Sequence, residues 1–185
     1  MADAAGIAVA VVRPLHAATL RYFEPGGPFA TAAANLVGTP LPAPLTALQS
    51  GSEVILAWLR PTETLLLSET DAPLRELGER LANVAGGHLV DLTGGVEALR
   101  LHGARVSELL DRLGSVAMAL PLNGARRGRL ADVPVLALSV RTGEVWLAVE
   151  RSYARHLCAW IDATLADFAP SMAHEPILGD HEAHG

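Results

Sequence analysis

The sequence predicts an α+β fold with mostly antiparallel pairing, and three observations carry that prediction. Apolar runs of period two, which read as strands, alternate with runs at helical spacing bounded by glycine or proline. The links between successive strands, such as Arg60-Pro61-Thr62-Glu63 and Arg141-Thr142-Gly143, are too short for the crossover a parallel pair needs. One grammar also occurs twice: residues 62–67 run from a polar turn through a strand into a helix, and residues 143–149 do the same. Either the chain holds two related halves, or it repeats a unit common to α+β folds.

Size and charge narrow the class. With 185 residues, half of them hydrophobic, the chain can bury one core or two small half-domains sharing one. A net charge of -6 argues against nucleic acid, because phosphate binding needs a basic surface that releases counterions. The single Cys158 rules out an internal disulfide and suits a reducing cytoplasm. The apolar run 7–12 is too short to span a bilayer, and with Asp3 before it and no basic residue ahead of Arg13 it does not read as a signal peptide. A cytoplasmic protein with no membrane partner is expected.

Residues 1–14 are small and apolar, and read as an edge strand, a frayed N-terminal arm or a segment that orders only against another subunit. Residues 18–23 are strand-like and end in the turn Glu24-Pro25-Gly26-Gly27. Phe29, Ala32, Ala33, Leu36 and Val37 then repeat at helical spacing, with Gly38 as the C-terminal cap. Pro40, Pro42 and Pro44 on alternate positions exclude helix, so this connector runs extended and marks the best internal boundary. Strands follow at 53–59 and 64–67, both apolar on both faces and therefore interior. A helix starts near Asp71, presents Leu74, Leu77, Leu81 and Val84, and stops at Gly86-Gly87.

The stretch 87–149 reads as the organising unit: two strands, a helix presenting Val106, Leu109, Leu110 and Leu113, and a strand pair around Arg141-Thr142-Gly143. The last helix, capped by Ser152, is expected to bury Tyr153, Leu157, Trp160, Ile161, Thr164 and Phe168. The expected division is therefore an arm at 1–14, a domain at 15–170 with halves near 15–86 and 87–170, and a His-rich tail at 171–185.

No cofactor signature of the GxGxxG, glycine-rich phosphate-loop or CxxC kind is present. The dense positive cluster Arg126-Arg127-Gly128-Arg129 could grip a phosphate or carboxylate, dock on an acidic partner, or be a solvated loop, the last being favoured. Asp91 follows apolar residues, where a carboxylate needs partners; tying down the next loop is favoured over service as a base. Cys158 reads as a small core residue. His174, His181 and His184, with Glu175, Asp180 and Glu182, are of metal-ligating type, but their spacing favours a solvated tail.

Several motifs together carry a family resemblance. They are Trp58-Leu59-Arg60-Pro61-Thr62-Glu63-Thr64-Leu65-Leu66, Val90-Asp91-Leu92-Thr93 with Ala98-Leu99-Arg100-Leu101-His102-Gly103, and Arg151-Ser152-Tyr153-Ala154 before a Trp160-bearing helix. In this order they resemble the gamma subunit of heterotetrameric sarcosine oxidase, over about residues 14–168. That family is itself similar to the folate-binding aminomethyltransferase of glycine cleavage, which implies duplicated antiparallel-sheet-plus-helix halves. The resemblance implies a noncatalytic structural subunit beside alpha, beta and delta subunits. Those partners would hold FAD, FMN, NAD, tetrahydrofolate and zinc and oxidise sarcosine or a similar secondary amine.

The chain departs from the folate enzymes at the turn 129–135, where Asp132 is the remaining acid, and no catalytic role is carried over to it. A second hypothesis is a stand-alone protein binding folate or a small acid between the halves, with Arg126, Arg127 or Arg129 on its carboxylates.

Overall fold

A computed structural model of the chain describes residues 2–4, 6–51, 53–114 and 120–168. Two antiparallel sheets face each other, each with its own pair of helices on the outside. The first contains β3 (His16–Tyr22), α1 (Pro28–Val37), β4 (Ala47–Ser50), β5 (Val54–Arg60), β6 (Glu63–Ser68), α2 (Ala72–Leu81) and β7 (Gly87–Asp91), with strand order β4-β5-β6-β3-β7. The second contains β8 (Val96–His102), α3 (Val106–Leu113), β9 (Gly124–Leu130), β10 (Val133–Arg141), β11 (Glu144–Glu150) and α4 (Arg151–Ala166). The N-terminal hairpin β1 (Ala2–Ala4) and β2 (Ile7–Val11) completes it, giving the order β1-β2-β8-β11-β10-β9.

The two orders superimpose strand for strand. β4-β5-β6-β3 corresponds to β9-β10-β11-β8, and α1 and α2 sit where α3 and α4 sit. The expected duplication is real, and the repeated grammar is β6 into α2 and β11 into α4. The fifth place differs in origin. It is filled by β7 in the first sheet and, in the second, by β2 from the other end of the chain.

Sheet membership accordingly departs from halves at 15–86 and 87–170. β7 pairs with β3, so the chain changes sheet at residues 92–95, inside the stretch expected to be one unit. Residues 2–4 and 7–11 are ladder strands, with β2 paired to β8. The proline connector is no boundary either, because it joins α1 to β4 within one sheet.

Burial falls in three layers. Between the sheets lie Ala17, Ala57, Ala98, Ala148, Leu138 and Trp146 among others, the many alanines letting the backbones approach. Phe29, Leu74, Leu77 and Leu81 from α1 and α2 cover the outer face of the first sheet. Val106, Leu109, Leu157 and Ile161 from α3 and α4 cover the second. Sheets buried on both faces explain why residues 54–59 of β5 and 65–67 of β6 are apolar without alternation.

The local signals act as expected at Gly38, which is left-handed and ends α1. At Gly87 a Cβ would lie 2.5 Å from the Phe29 ring, so α1 can rest on β7 only without a side chain there. Asp71 and Ser152 fall short as caps. Asp71 precedes α2 without a side-chain capping bond, and α4 already begins at Arg151.

Candidate functional site

The arginine cluster is a strand, not a loop. Residues 124–130 form β9, paired along its length with β10 through a two-residue turn at Ala131 and Asp132, both left-handed. Pleating alternates the side chains. Ala125 faces the inter-sheet layer and Leu130 the helices, so Arg127 and Arg129 share one face while Arg126 is on the other. The three guanidiniums therefore do not converge on one anion. Arg129 is also engaged locally, donating to the Asp132 carbonyl. The Asp132 side chain is fully exposed.

Asp91 is exposed rather than partly buried, and it does tie the loop down. Its Oδ1 accepts the Thr93 N–H at 2.7 Å, and Thr93 Oγ1 accepts the Ala17 N–H at 3.2 Å, fastening the sheet crossing to β3. The Thr93 backbone bond holds the Asp91 carboxyl below its ordinary range. Cys158 is half-buried against the α3–α4 core, and desolvation, with Asp162 and Glu97 adding to it, pushes the thiol up. His88, His102 and His156 lie exposed on β7, β8 and α4. Among the described residues no three His, Cys, Asp or Glu side chains come together to hold a metal ion. The tail with His174, His181 and His184 lies outside the described residues.

On α4 the expected stripe is partly wrong. Leu157, Ile161 and Phe168 are buried, and Thr164 is half-buried, its hydroxyl donating to the Trp160 carbonyl at 2.8 Å. Tyr153 and Trp160 are 44% and 51% exposed. The buried line runs instead through Ala154, Leu157, Cys158, Ile161 and Leu165, turned by roughly 65° at about 100° per residue.

A groove of about 780 Å³ lies between α1, the proline connector and the β5–β6 hairpin. Tyr22 and Trp58 line it from the sheet, Ala30 and Ala34 from α1, and Pro40 and Pro42 from the connector. The Tyr22 hydroxyl is satisfied by Thr64 Oγ1 at 3.1 Å, a buried pair. Five lining residues are prolines and none is charged. Prolines cannot donate to a ladder, so the connector leaves the sheet and stands off from α1, held by buried Pro42 and by Leu41 against the α1–α2 core. The sequence carried a signal for this groove that motif reading passes over: no charged residue and no histidine occurs anywhere from Pro25 to Ser52.

The model of the sarcosine oxidase, gamma subunit family matches residues 24–167. A chain of the heterotetrameric sarcosine oxidase from Corynebacterium sp. U-96, solved in complex with pyrrole 2-carboxylate, has the same fold. Its TM-score is 0.81 at 24% identity, over 94% of this chain and 90% of that one. The glycine cleavage system aminomethyltransferase T from Bartonella henselae is similar at TM-score 0.68 and 16% identity, over 88% of this chain and 47% of that one. No curated protein matches the sequence.

Proposed function

Because the chain belongs to the sarcosine oxidase gamma subunit family, we propose that it is a noncatalytic structural subunit of a heteromeric flavoenzyme that oxidatively demethylates sarcosine or a similar secondary amine. The family match over residues 24–167 carries the reading. Two features support a structural role. The body of the layer between the sheets is filled by side chains such as Leu138 and Ala148, with a concavity of about 270 Å³ at its edge beside Trp146 and Arg141. The polar groups of Asp91 and Arg129 are spent on local backbone.

On this reading alpha, beta and delta subunits supply FAD, FMN, NAD, tetrahydrofolate and zinc, and the assembly works in the cytoplasm. Among the described residues no helix is long and apolar enough to cross a membrane. Arg126, Arg127 and Arg129, spread over both faces of the edge strand β9, fit a neighbouring acidic surface that wraps the sheet edge better than a single bound anion. Arg127 is the main contact because Arg129 is engaged by Asp132, and raised salt would weaken that contact.

Coexpression with the adjacent oxidase genes tests the proposal. Affinity purification of this chain is expected to bring down a flavin-containing partner in stoichiometric amount. Turnover of sarcosine by the isolated chain, or purification without any flavoprotein, would overturn it.

A further inference from the structure

The charge-free segment 25–52 contrasts with α2 and α3, whose surfaces are laced with ion pairs. On α2, Arg75 lies 3.8 Å from Asp71 and 3.6 Å from Glu79, and Arg80 lies 3.4 Å from Glu76. On α3, Glu108 is held between Arg105 and Arg112 at 2.8 and 2.9 Å. α1, covering the same sheet as α2, carries no charge, and its exposed positions are Pro28, Thr31 and Asn35. A helix face whose fate is water is normally charged, whereas the buried centre of a protein interface is depleted of charge.

Exposed apolar side chains adjoin the groove's lining residues along the chain. Phe23, directly after Tyr22, is 80% exposed. Leu45, next to Pro44, is 58% exposed and left-handed at φ 62°. Leu122 is 56% exposed on a segment tied to Leu45, since Ala125 N–H donates to the Leu45 carbonyl and Ala47 N–H to that of Asn123. A non-glycine residue held left-handed costs free energy, and such outliers concentrate where they serve a ligand or partner. Here the conformation turns an aliphatic side chain into water. Proline-stiffened walls lower the ordering cost of binding, and the half-buried Trp58 is of a residue type that anchors interfaces.

We infer that the groove between α1 and the proline connector is the seat of a partner chain of the oxidase assembly, which inserts an uncharged aliphatic or aromatic segment there. The inference rests on the subunit reading given above. Charge matching selects this occupant. With no basic group in the lining, a carboxylate-bearing ligand such as a folate has nothing to pair with, and an apolar segment has nothing to repel it. The family is one of subunits, so a protein neighbour is the occupant at hand.

The test compares three full-length variants, each coexpressed with the neighbouring oxidase genes, by the dissociation constant of the recovered complex. Asn35→Arg puts a cation on the exposed edge of the groove. Leu45→Gly removes the presented side chain at a backbone conformation that glycine adopts freely, so folding is preserved. Arg75→Ala, on α2, is the control. Wild type and Arg75→Ala are expected to bind alike, while Asn35→Arg and Leu45→Gly each bind on the order of tenfold more weakly. Wild-type binding with both groove variants within about twofold of it overturns the inference and leaves the subunit reading standing. Absence of wild-type binding overturns the subunit reading itself. A wild-type homodimer in light scattering that Asn35→Arg dissociates, with partner binding unchanged, would give the groove to a second copy instead.

Discussion

α1 and α3 are counterparts in the two halves, yet their outer surfaces are opposites. Inward they are alike: α1 buries Phe29, Ala30 and Ala33, and α3 buries Val106, Leu109, Leu110 and Leu113. Outward, α3 carries a clasp of Arg105, Glu108 and Arg112, and both guanidiniums lie over the Phe168 ring at 4.4 and 4.0 Å. α1 carries no charge at all. The difference separates two demands. Each sheet must be covered, which fixes the inner face in both halves. What the outer face meets is free to diverge after duplication, and α1 is finished for contact with protein where α3 is finished for water.

The inner-face equivalence is broken first, by the largest effects. Phe29→Ala is expected to cost about 3–5 kcal/mol and Leu109→Ala about 2–5 kcal/mol, each leaving a cavity under its helix, as read by urea unfolding. If only one half loses stability, the two helices are not equivalent supports. Leu45→Gly sharpens the outer-face contrast. Relief of the left-handed backbone and the extra entropy of the unfolded glycine chain oppose each other, so the free protein should stay within about 1 kcal/mol of wild type. A loss above about 2 kcal/mol would mean that Leu45 packs within its own chain.

Smaller still is Arg75→Ala, which removes two exposed pairs at about 0.3–0.5 kcal/mol each, a difference that should fade at 1 M salt by the screening of about 3 Å range expected there. Asn35→Arg should change the stability of the free chain by no more than about 0.5 kcal/mol at any salt.

The smallest effect belongs to the sheet crossing, which lies outside both helices. Thr93 depresses the Asp91 carboxyl from its ordinary value of 3.8, so the contribution of the bond is present above that value and is lost as pH falls through the folded one. The stability difference between wild type and Asp91→Asn should therefore be constant above about pH 5 and shrink below about pH 4, read by unfolding across that range.

Most of the elements were legible because their signals are local. Gly38 caps α1, the Val106–Leu109–Leu110–Leu113 stripe defines α3, and the doubly apolar β5 and β6 declare burial on both faces. What escaped depends on distant partners. β9 reads Gly-Ala-Arg-Arg-Gly-Arg-Leu, with arginines on both faces, and only its ladder to β10 makes it a strand. β7 and β8 are adjacent in sequence and separate in space, a division set by which sheet lacks a strand rather than by anything between residues 87 and 102. On α4 the large rings of Tyr153 and Trp160 drew the stripe towards themselves, whereas small Ala154 and Cys158 fit beneath the helix. The groove was hidden for a related reason. Its sign is an absence, the lack of charge from Pro25 to Ser52, and motif spacing does not register what is missing.

Amide hydrogen exchange, with the free chain measured against the purified assembly, tests the division of surfaces most directly. Added protection is expected in peptides covering residues 25–52, with α2 at 72–81 exchanging as it does in the free chain. Protection gained on α2 while 25–52 exchanges unchanged would contradict it.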